Sequence, residues 1–447
     1  MIECSMVKPY LHYVIPATIA FTLSCIYAIV DGIFVGNYVG DAGLAGINVA
    51  YPLYALIYAT GTGIGMGGAI IASVREGAGN VKGSRRAMGH TITLLAIASV
   101  IVMTFLLIFA RPACGLLGGS GATLNEATSY ITVLALATPF QLMVSGCLPL
   151  IRNRGHVKYA MCASVAAGVT NVILDYVFIV LMGCGTAGAG AATALAQLVS
   201  FTLIFGFFCH KNERPRLADF KLNTELVVHT IKLGIAPLGL TFLPQVTIIT
   251  INISAMHYGG ETAVAAYAVV AYAACVVSML IQGVADGSQP LISKQYGAGH
   301  YKVVRKLRNT NYAVALSIGV VGLVVCTLLR FQIAHWFGAS AAATSMIGIA
   351  LPLICFAYLF FGFTHVSSSY FYAIDNHRSS TILVYGESAL VVAFVVSMGA
   401  LFGLMGVWSA IAVEQITLCV ITFCLLMHAS SRYSLFGHGS HFNHVRA

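Results

Sequence analysis

Charge is scarce in this chain: Asp, Glu, Lys and Arg together make up 8% of 447 residues, and only 14 residues are acidic. An ordinary globular chain carries about 25% charged residues, so a soluble fold of this size is excluded. The 12 cysteines contain no CxxC pair and are scattered through apolar stretches, which removes a disulfide or zinc framework and leaves them as small hydrophobes. No HExxH occurs, and neither a Ser/His/Asp set nor a paired-Asp arrangement is legible, so an enzyme reading has no residues to stand on. What is present is apolar surface: 59% hydrophobic residues and a mean hydropathy of +0.89.

Apolar runs of about 20 residues or more argue for membrane-spanning helices, not for barrel strands, which alternate over about 10 residues. The chain reads as an all-α integral membrane protein with spans near 10–36, 44–73, 91–110, 126–150, 159–182, 188–208, 230–257, 263–292, 310–329, 344–372, 381–401 and 403–428. The first is too long for a signal peptide and lacks its cleavage site. The formal net charge of +9 invites a nucleic-acid reading until the positions are sorted. With the N-terminus inside, all of the 23 Lys and Arg except Arg111 and Arg330 fall on the cytoplasmic side. This positive-inside pattern puts both termini in the cytoplasm and leaves no patch for nucleic acid. His438, His441 and His444 lie three apart and have metal-chelating spacing, although a solvated tail accounts for them as well.

The chain repeats itself. An offset of 220 pairs Tyr38 with Tyr258, Gly40 with Gly260, Gly67 with Gly287, Ser73 with Ser293, Gly77–Gly79 with Gly297–Gly299, and Arg85 with Arg305. An offset of 218 pairs Gly185 with Gly403, Gly188 with Gly406 and Gln197 with Gln415. Six spans per half give both halves the same orientation, so the halves are parallel repeats, an architecture that places a substrate site between lobes. The expected organisation is an N-lobe over 1–208, a cytoplasmic linker over 209–229, a C-lobe over 230–428 and a cytoplasmic tail over 429–447, the two six-helix lobes enclosing a central cavity. Gly63, Gly65 and Gly68, like Gly183, Gly185 and Gly188, spell GxGxxG, but they lie in or beside membrane helices. Gly61/Gly65 and Gly63/Gly67 have small-xxx-small spacing, which predicts close helix packing.

Against this background a buried acid needs a reason, since insertion near the membrane centre costs roughly 2.5–3.5 kcal/mol. Tyr27 and Asp31 are four apart, as are Asn171 and Asp175, so each pair shares a helix face. Thr193 follows on the next helix. Counting from the outer turns at about 1.5 Å per residue puts Asp31, Asp175 and Thr193 at one depth, roughly 8–12 Å below the outer surface. Two carboxyls with an amide, a hydroxyl and a phenol suit a proton, or Na⁺ held by Asp31, Asn171, Asp175 and Thr193. An acid capped by Asn and Tyr to pin helices together is the plainer alternative. The repeat maps Asp31 onto Ile251, and Asn171 and Asp175 onto Ala389 and Ala393, so this constellation belongs to one half only.

VDGIFVG (Val30–Gly36), the two GAG loops, Asn171-x-x-x-Asp175 before a Gly-rich turn, Gln289-Pro290, and Gly403-x-x-Gly406-Val407-Trp408 together resemble the multidrug and toxic compound extrusion (MATE) family, most of all its DinF-like prokaryotic branch. The resemblance covers nearly the whole chain. It implies a secondary antiporter in a bacterial or archaeal plasma membrane, exporting small amphipathic, often cationic drugs against H⁺ or Na⁺, acting as a monomer with no other cofactor. It also implies an ion site at Tyr27, Asp31, Asn171, Asp175 and Thr193, and a bend at Pro16, a residue that breaks the helical ladder on physical grounds too. Where relatives often carry a basic residue in the eleventh span, this chain has Glu387. With Asp286 it has the makings of a second, inner acidic site, although a pair of snorkelling or separately hydrogen-bonded acids is the plainer account; Glu414 is a further candidate in the C-lobe. Asn48, Gln141, Gln245 and Asn252 are candidates for lining the substrate cavity, or for ordinary interhelical bonds. The rival function is a flippase for lipid-linked oligosaccharide or lipid, which needs basic residues facing the chamber for a diphosphate. A channel is disfavoured because the acids form no symmetric ring.

Overall fold

The computed structural model describes residues 4–210 and 216–435, and these are almost wholly helical. The helices are α1 (Cys4–Tyr38), α2 (Asp41–Gly77), α3 (Val81–Leu116), α4 (Gly121–Asn153), α5 (Val157–Asp175), α6 (Gly185–Cys209), α7 (Thr224–Phe242), α8 (Pro244–Gly297), α9 (Tyr301–Leu328), α10 (Arg330–Trp336), α11 (Ala341–Ala373) and α12 (His377–Leu435). A π-helical turn, Tyr176–Leu181, prolongs α5, and a 3₁₀ turn, Leu217–Phe220, precedes α7. His438, His441 and His444 lie outside the described residues.

Among the described residues, ten continuous helical stretches are long and apolar enough to cross a membrane, against the twelve spans expected. The difference lies in two glycines. Helix α8 is broken at Gly260 (φ 66°) and α12 at Gly403 (φ 58°), so each carries two successive spans across a sharp kink. The expected seventh span, 230–257, is itself interrupted: α7 ends at Phe242 and α8 restarts with Pro244 at its first turn, where a missing N–H costs nothing.

The repeat is visible in the backbone. Left-handed residues recur at the offset of 220: Gly40 (φ 85°) with Gly260, Gly79 (φ 80°) with Gly299 (φ 78°), Gly118 (φ 98°) with Gly338 (φ 66°), and Gly155 (φ 90°) with Asp375 (φ 64°). At 218, Gly185 (φ 60°) matches Gly403. Only residues without a Cβ take these angles readily, so the sequence repeat is a repeat of turns. Side chains follow: Ser73 of α2 bonds Asn153 of α4, and Ser293 of α8 bonds the Ala373 carbonyl of α11.

Two compact units result, Thr22–Phe242 and Met1–Phe21 with Leu243–Ala447. These differ from the expected lobes in that the first part of α1 groups with the C-terminal helices and α7 with the N-terminal ones. In the first unit, α2 lies between α4 and α7, and its glycines set the spacing. A Cβ on Gly65 would lie 2.1 Å from the Gly146 carbonyl oxygen, and one on Gly67 would lie 2.2 Å from that of Thr230. This is the close packing that the small-residue spacing predicts. Gly183 and Gly185 act differently: both have positive φ with little or nothing near their Cβ positions, and they make the α5–α6 turn. In the other unit the start of α1 is fixed by Tyr10 OH, which donates to Asn311 Oδ1 at 2.9 Å, and by Gly283 and Gly287 of α8 against Thr18, Ala17 and Val14.

Candidate functional site

Five residues singled out from sequence meet within the Thr22–Phe242 unit, on three of its elements: Tyr27 and Asp31 on α1, Asn171 and Asp175 on α5, Thr193 on α6. Asp175 is fully buried and Asn171 nearly so, whereas Asp31, Tyr27 and Thr193 are partly buried. Asn171 Nδ2 donates to Thr193 Oγ1 at 3.3 Å and joins α5 to α6. Tyr27 lies against α5, because Gly168 leaves room for its ring; a Cβ there would lie 2.8 Å from Tyr27 Cδ1. The two carboxyls face each other within hydrogen-bonding reach. Among the described residues no N–H or O–H donor reaches either Asp175 oxygen or Asp31 Oδ1. An acid pair so enclosed has each other for company, and a proton between them would supply a donor.

The helix changes character at this point. Directly after Asp175, α5 widens into the π turn, a form that is rare overall and appears mostly as single turns at functional sites.

The sequence reading missed a wall of tyrosines. Tyr130 of α4 lies beside Thr193, with Asp31 and Asp175 nearby. Tyr54 of α2 sits among Tyr27, Tyr51, Tyr58 and Tyr130. The signal was there, since Tyr51, Tyr54 and Tyr58 stand at i, i+3 and i+7 on one helix face. Nothing in a single sequence, however, says which face of α2 looks at α1.

Other predicted positions are less tied together. Asn48 is exposed on α2, and Gln141 of α4 is 3% exposed with neither amide atom partnered. Gln245 and Asn252, on the first segment of α8, are partly buried and belong to the other unit. Helix α1 runs unbroken through Pro16, and the division between units falls shortly after it, at Phe21. The three C-terminal acids form two groups. Asp286 accepts the Tyr372 hydroxyl and neighbours His365, whereas Glu387 accepts from Gln415 and is the charged neighbour of Glu414.

The fold and site invite comparison with known proteins. The MatE family model matches residues 16–177 and again 237–398, two copies that begin 221 residues apart and together span more than half the chain. Multidrug export protein MepA of Staphylococcus aureus (strain N315) is 27% identical over 429 residues, covering 94% of this chain and 93% of that protein. The crystal structure of a MATE protein in complex with MaL6 superposes with a TM-score of 0.89 at 22% identity, over 95% of this chain and 96% of that one. An outward-facing multidrug resistance MATE family transporter of the MOP superfamily gives 0.89 at 23% identity, over 94% and 95%. At that identity the two structures speak for the fold; the family follows from the doubled match, by which this chain belongs to the MatE family, that of the MATE transporters.

Proposed function

We propose that the protein is a secondary active multidrug exporter that moves amphipathic, cationic organic compounds out of the cell against inward H⁺, the proton binding at Asp31 and Asp175. The observation that carries this reading is the neighbouring Asp31 and Asp175 carboxyls, of which both Asp175 oxygens and Asp31 Oδ1 are buried and meet no donor among the described residues. Kinship with the MepA exporter supports the substrate class. Coupling requires only that proton and drug favour different states of the same protein, each by its differential affinity. Asn171, Thr193 and Tyr130 keep the pair in place, Tyr27 closes it from α1, and Pro16 is the position where α1 yields. The positive-inside pattern supports an orientation with both termini on the cytoplasmic side, and the family resemblance supports a bacterial or archaeal plasma membrane.

A second reading, Na⁺ in place of H⁺, draws on the same orphaned oxygens, which would serve as ligands of a hard cation with Asn171 and Thr193. Export of a fluorescent organic cation from proteoliposomes separates the two. Acceleration by an imposed pH gradient at constant Na⁺ is expected; acceleration by a Na⁺ gradient alone would replace the proton with Na⁺. Transport of a lipid-linked oligosaccharide but of no organic cation would return the flippase.

A further inference from the structure

The second polar group of the chain lies where the repeat places the counterpart of the first. Gly403 corresponds to Gly185, so the two segments of α12 are the C-terminal equivalent of the α5–α6 hairpin that carries Asn171, Asp175 and Thr193. At the 218 offset, Glu387 and Glu414 stand where the N-terminal half has Val169 and Ala196. The same hairpin bears acids in both halves at unrelated positions, so neither set is a leftover of the duplication.

Glu414 is fully buried, and neither of its oxygens has a hydrogen-bonding donor among the described residues. The Gln415 side chain approaches it without hydrogen-bond geometry, and Glu387 is its charged neighbour. Glu387 is only partly buried and accepts from Gln415 Nε2 at 3.0 Å. On the far side, Gln415 Oε1 lies 3.0 Å from Thr364 Oγ1, which also lies 3.0 Å from the Phe361 carbonyl. One residue along α11, His365 is 6% exposed with neither ring nitrogen partnered, beside Asp286 of α8, which accepts the Tyr372 hydroxyl. The ionisable groups around this place are therefore Glu387 and Glu414 from α12, His365 and Tyr372 from α11, and Asp286 from α8.

A hydroxyl carries one proton, so Thr364 donates to Gln415 or to Phe361, and not to both. That freedom gives the chain two complete arrangements. With Glu387 ionised, Gln415 N–H donates to it and Thr364 donates to the Gln415 carbonyl. With Glu387 protonated, its O–H donates to the Gln415 carbonyl once the amide has turned over, the amide N–H donates to Thr364 Oγ1, and Thr364 passes its proton to the Phe361 carbonyl. In either state each link from Glu387 through Gln415 to Thr364 joins one donor to one acceptor, and the two states differ by one proton on Glu387 with the amide and the hydroxyl turned to suit. A buried polar group left unmatched is costly; this chain of bonds avoids that cost at Glu387 in both states, whereas the Glu414 oxygens meet no donor among the described residues in either.

We propose that Glu387 and Glu414, with Gln415 as the amide that turns between them and Thr364, form a second proton-binding site in the C-terminal unit. Partly exposed Glu387 takes the proton up and buried Glu414 shares it. An amide N–H aimed at the acid suits a carboxyl that gains and loses a proton, and among the described residues no three His, Cys, Asp or Glu side chains converge as a metal site. The transport consequence rests on the exporter reading: two protons, one in each half, would be available per cycle.

The site itself is tested without transport. Infrared difference spectra of the purified full-length protein in lipid nanodiscs, recorded between acidic and alkaline buffer, report the C=O stretch of protonated carboxyls. In an Asp31→Asn/Asp175→Asn background, a buried-carboxyl band is expected to remain and to vanish on adding Glu414→Gln and Glu387→Gln. Gln415→Leu, which keeps both acids, should shift that band in frequency. Loss of the band already in the Asp31→Asn/Asp175→Asn protein, its persistence after both Glu→Gln changes, or its indifference to Gln415→Leu would each overturn the proposal. Failure of the exporter reading would look different: no drug flux in proteoliposomes, with the band intact.

Discussion

Asp175→Asn is the sharpest test of the proton pair. The substitution exchanges one oxygen for nitrogen at a fully buried position, so it opens no cavity, and the new amide can donate to the Asp31 carboxyl across the contact the two acids now make. Helix packing and yield of folded protein should stay as in the wild type; what is lost is the ability of the pair to carry a proton. A pH difference of one unit stores about 1.4 kcal/mol per proton, which sustains at most about a tenfold gradient of a monovalent drug exchanged one for one. A second proton at Glu387 and Glu414 would raise that ceiling to about a hundredfold. Proteoliposomes clamped at zero membrane potential, loaded with a lipophilic cation and given a one-unit pH step, report the steady-state drug ratio directly. The variant's ratio should fall by up to about a factor of ten. An unchanged ratio from an equal amount of folded protein would remove Asp175 from the coupling step and leave it as a residue that pins α5 to α1.

Two further outcomes test the frame around the site. Gly65→Ala puts a methyl 2.1 Å from the Gly146 carbonyl oxygen, so α2 and α4 must separate, at about 1–3 kcal/mol for overpacking of this kind; Gly115→Ala in α3, with nothing within 4 Å, is the matched control. Thermal unfolding in detergent should fall for the first and stay level for the second, and equal melting of both would contradict the close α2–α4 approach. For topology, alkaline phosphatase fused after Leu116 should be active and fused after Leu435 inactive, since the enzyme works only outside the cytoplasm; the reverse pattern would invert the assigned orientation.

What the sequence disclosed and what it withheld divide along a physical line. Spans, repeat and the five-residue constellation were legible because each rests on local periodicity or on the rarity of acids in apolar stretches. The kinks at Gly260 and Gly403 were legible as span ends, although the helices on either side run on without a loop. Hidden were the features that depend on which helix faces meet. Tyr130 and Tyr54 look like ordinary span aromatics until α4 and α2 are set against α1 and α5. Glu387 and Glu414, 27 residues apart in sequence, become one site only when α12 doubles back at Gly403 and brings Gln415 to 3.0 Å from Glu387.

The grouping of α1 carries the argument one step further. Its described residues up to Phe21 group with the C-terminal helices, held by Tyr10 and by the close approach of Gly283 and Gly287, while the stretch that follows carries Tyr27 and Asp31 to the acid pair. One continuous helix thus has its start in one unit and the face that carries Tyr27 and Asp31 in the other, with Pro16 just before the division. On the proposed proton reading, a proton that draws Asp31 towards Asp175 would act on a helix whose start is held by other helices, and bending would fall at Pro16, where the backbone ladder is already missing a hydrogen bond. On that reading Asp31, and not the better-buried Asp175, would be the member of the pair through which binding is converted into movement, so Asp31→Asn should uncouple drug flux from the pH step at least as fully as Asp175→Asn.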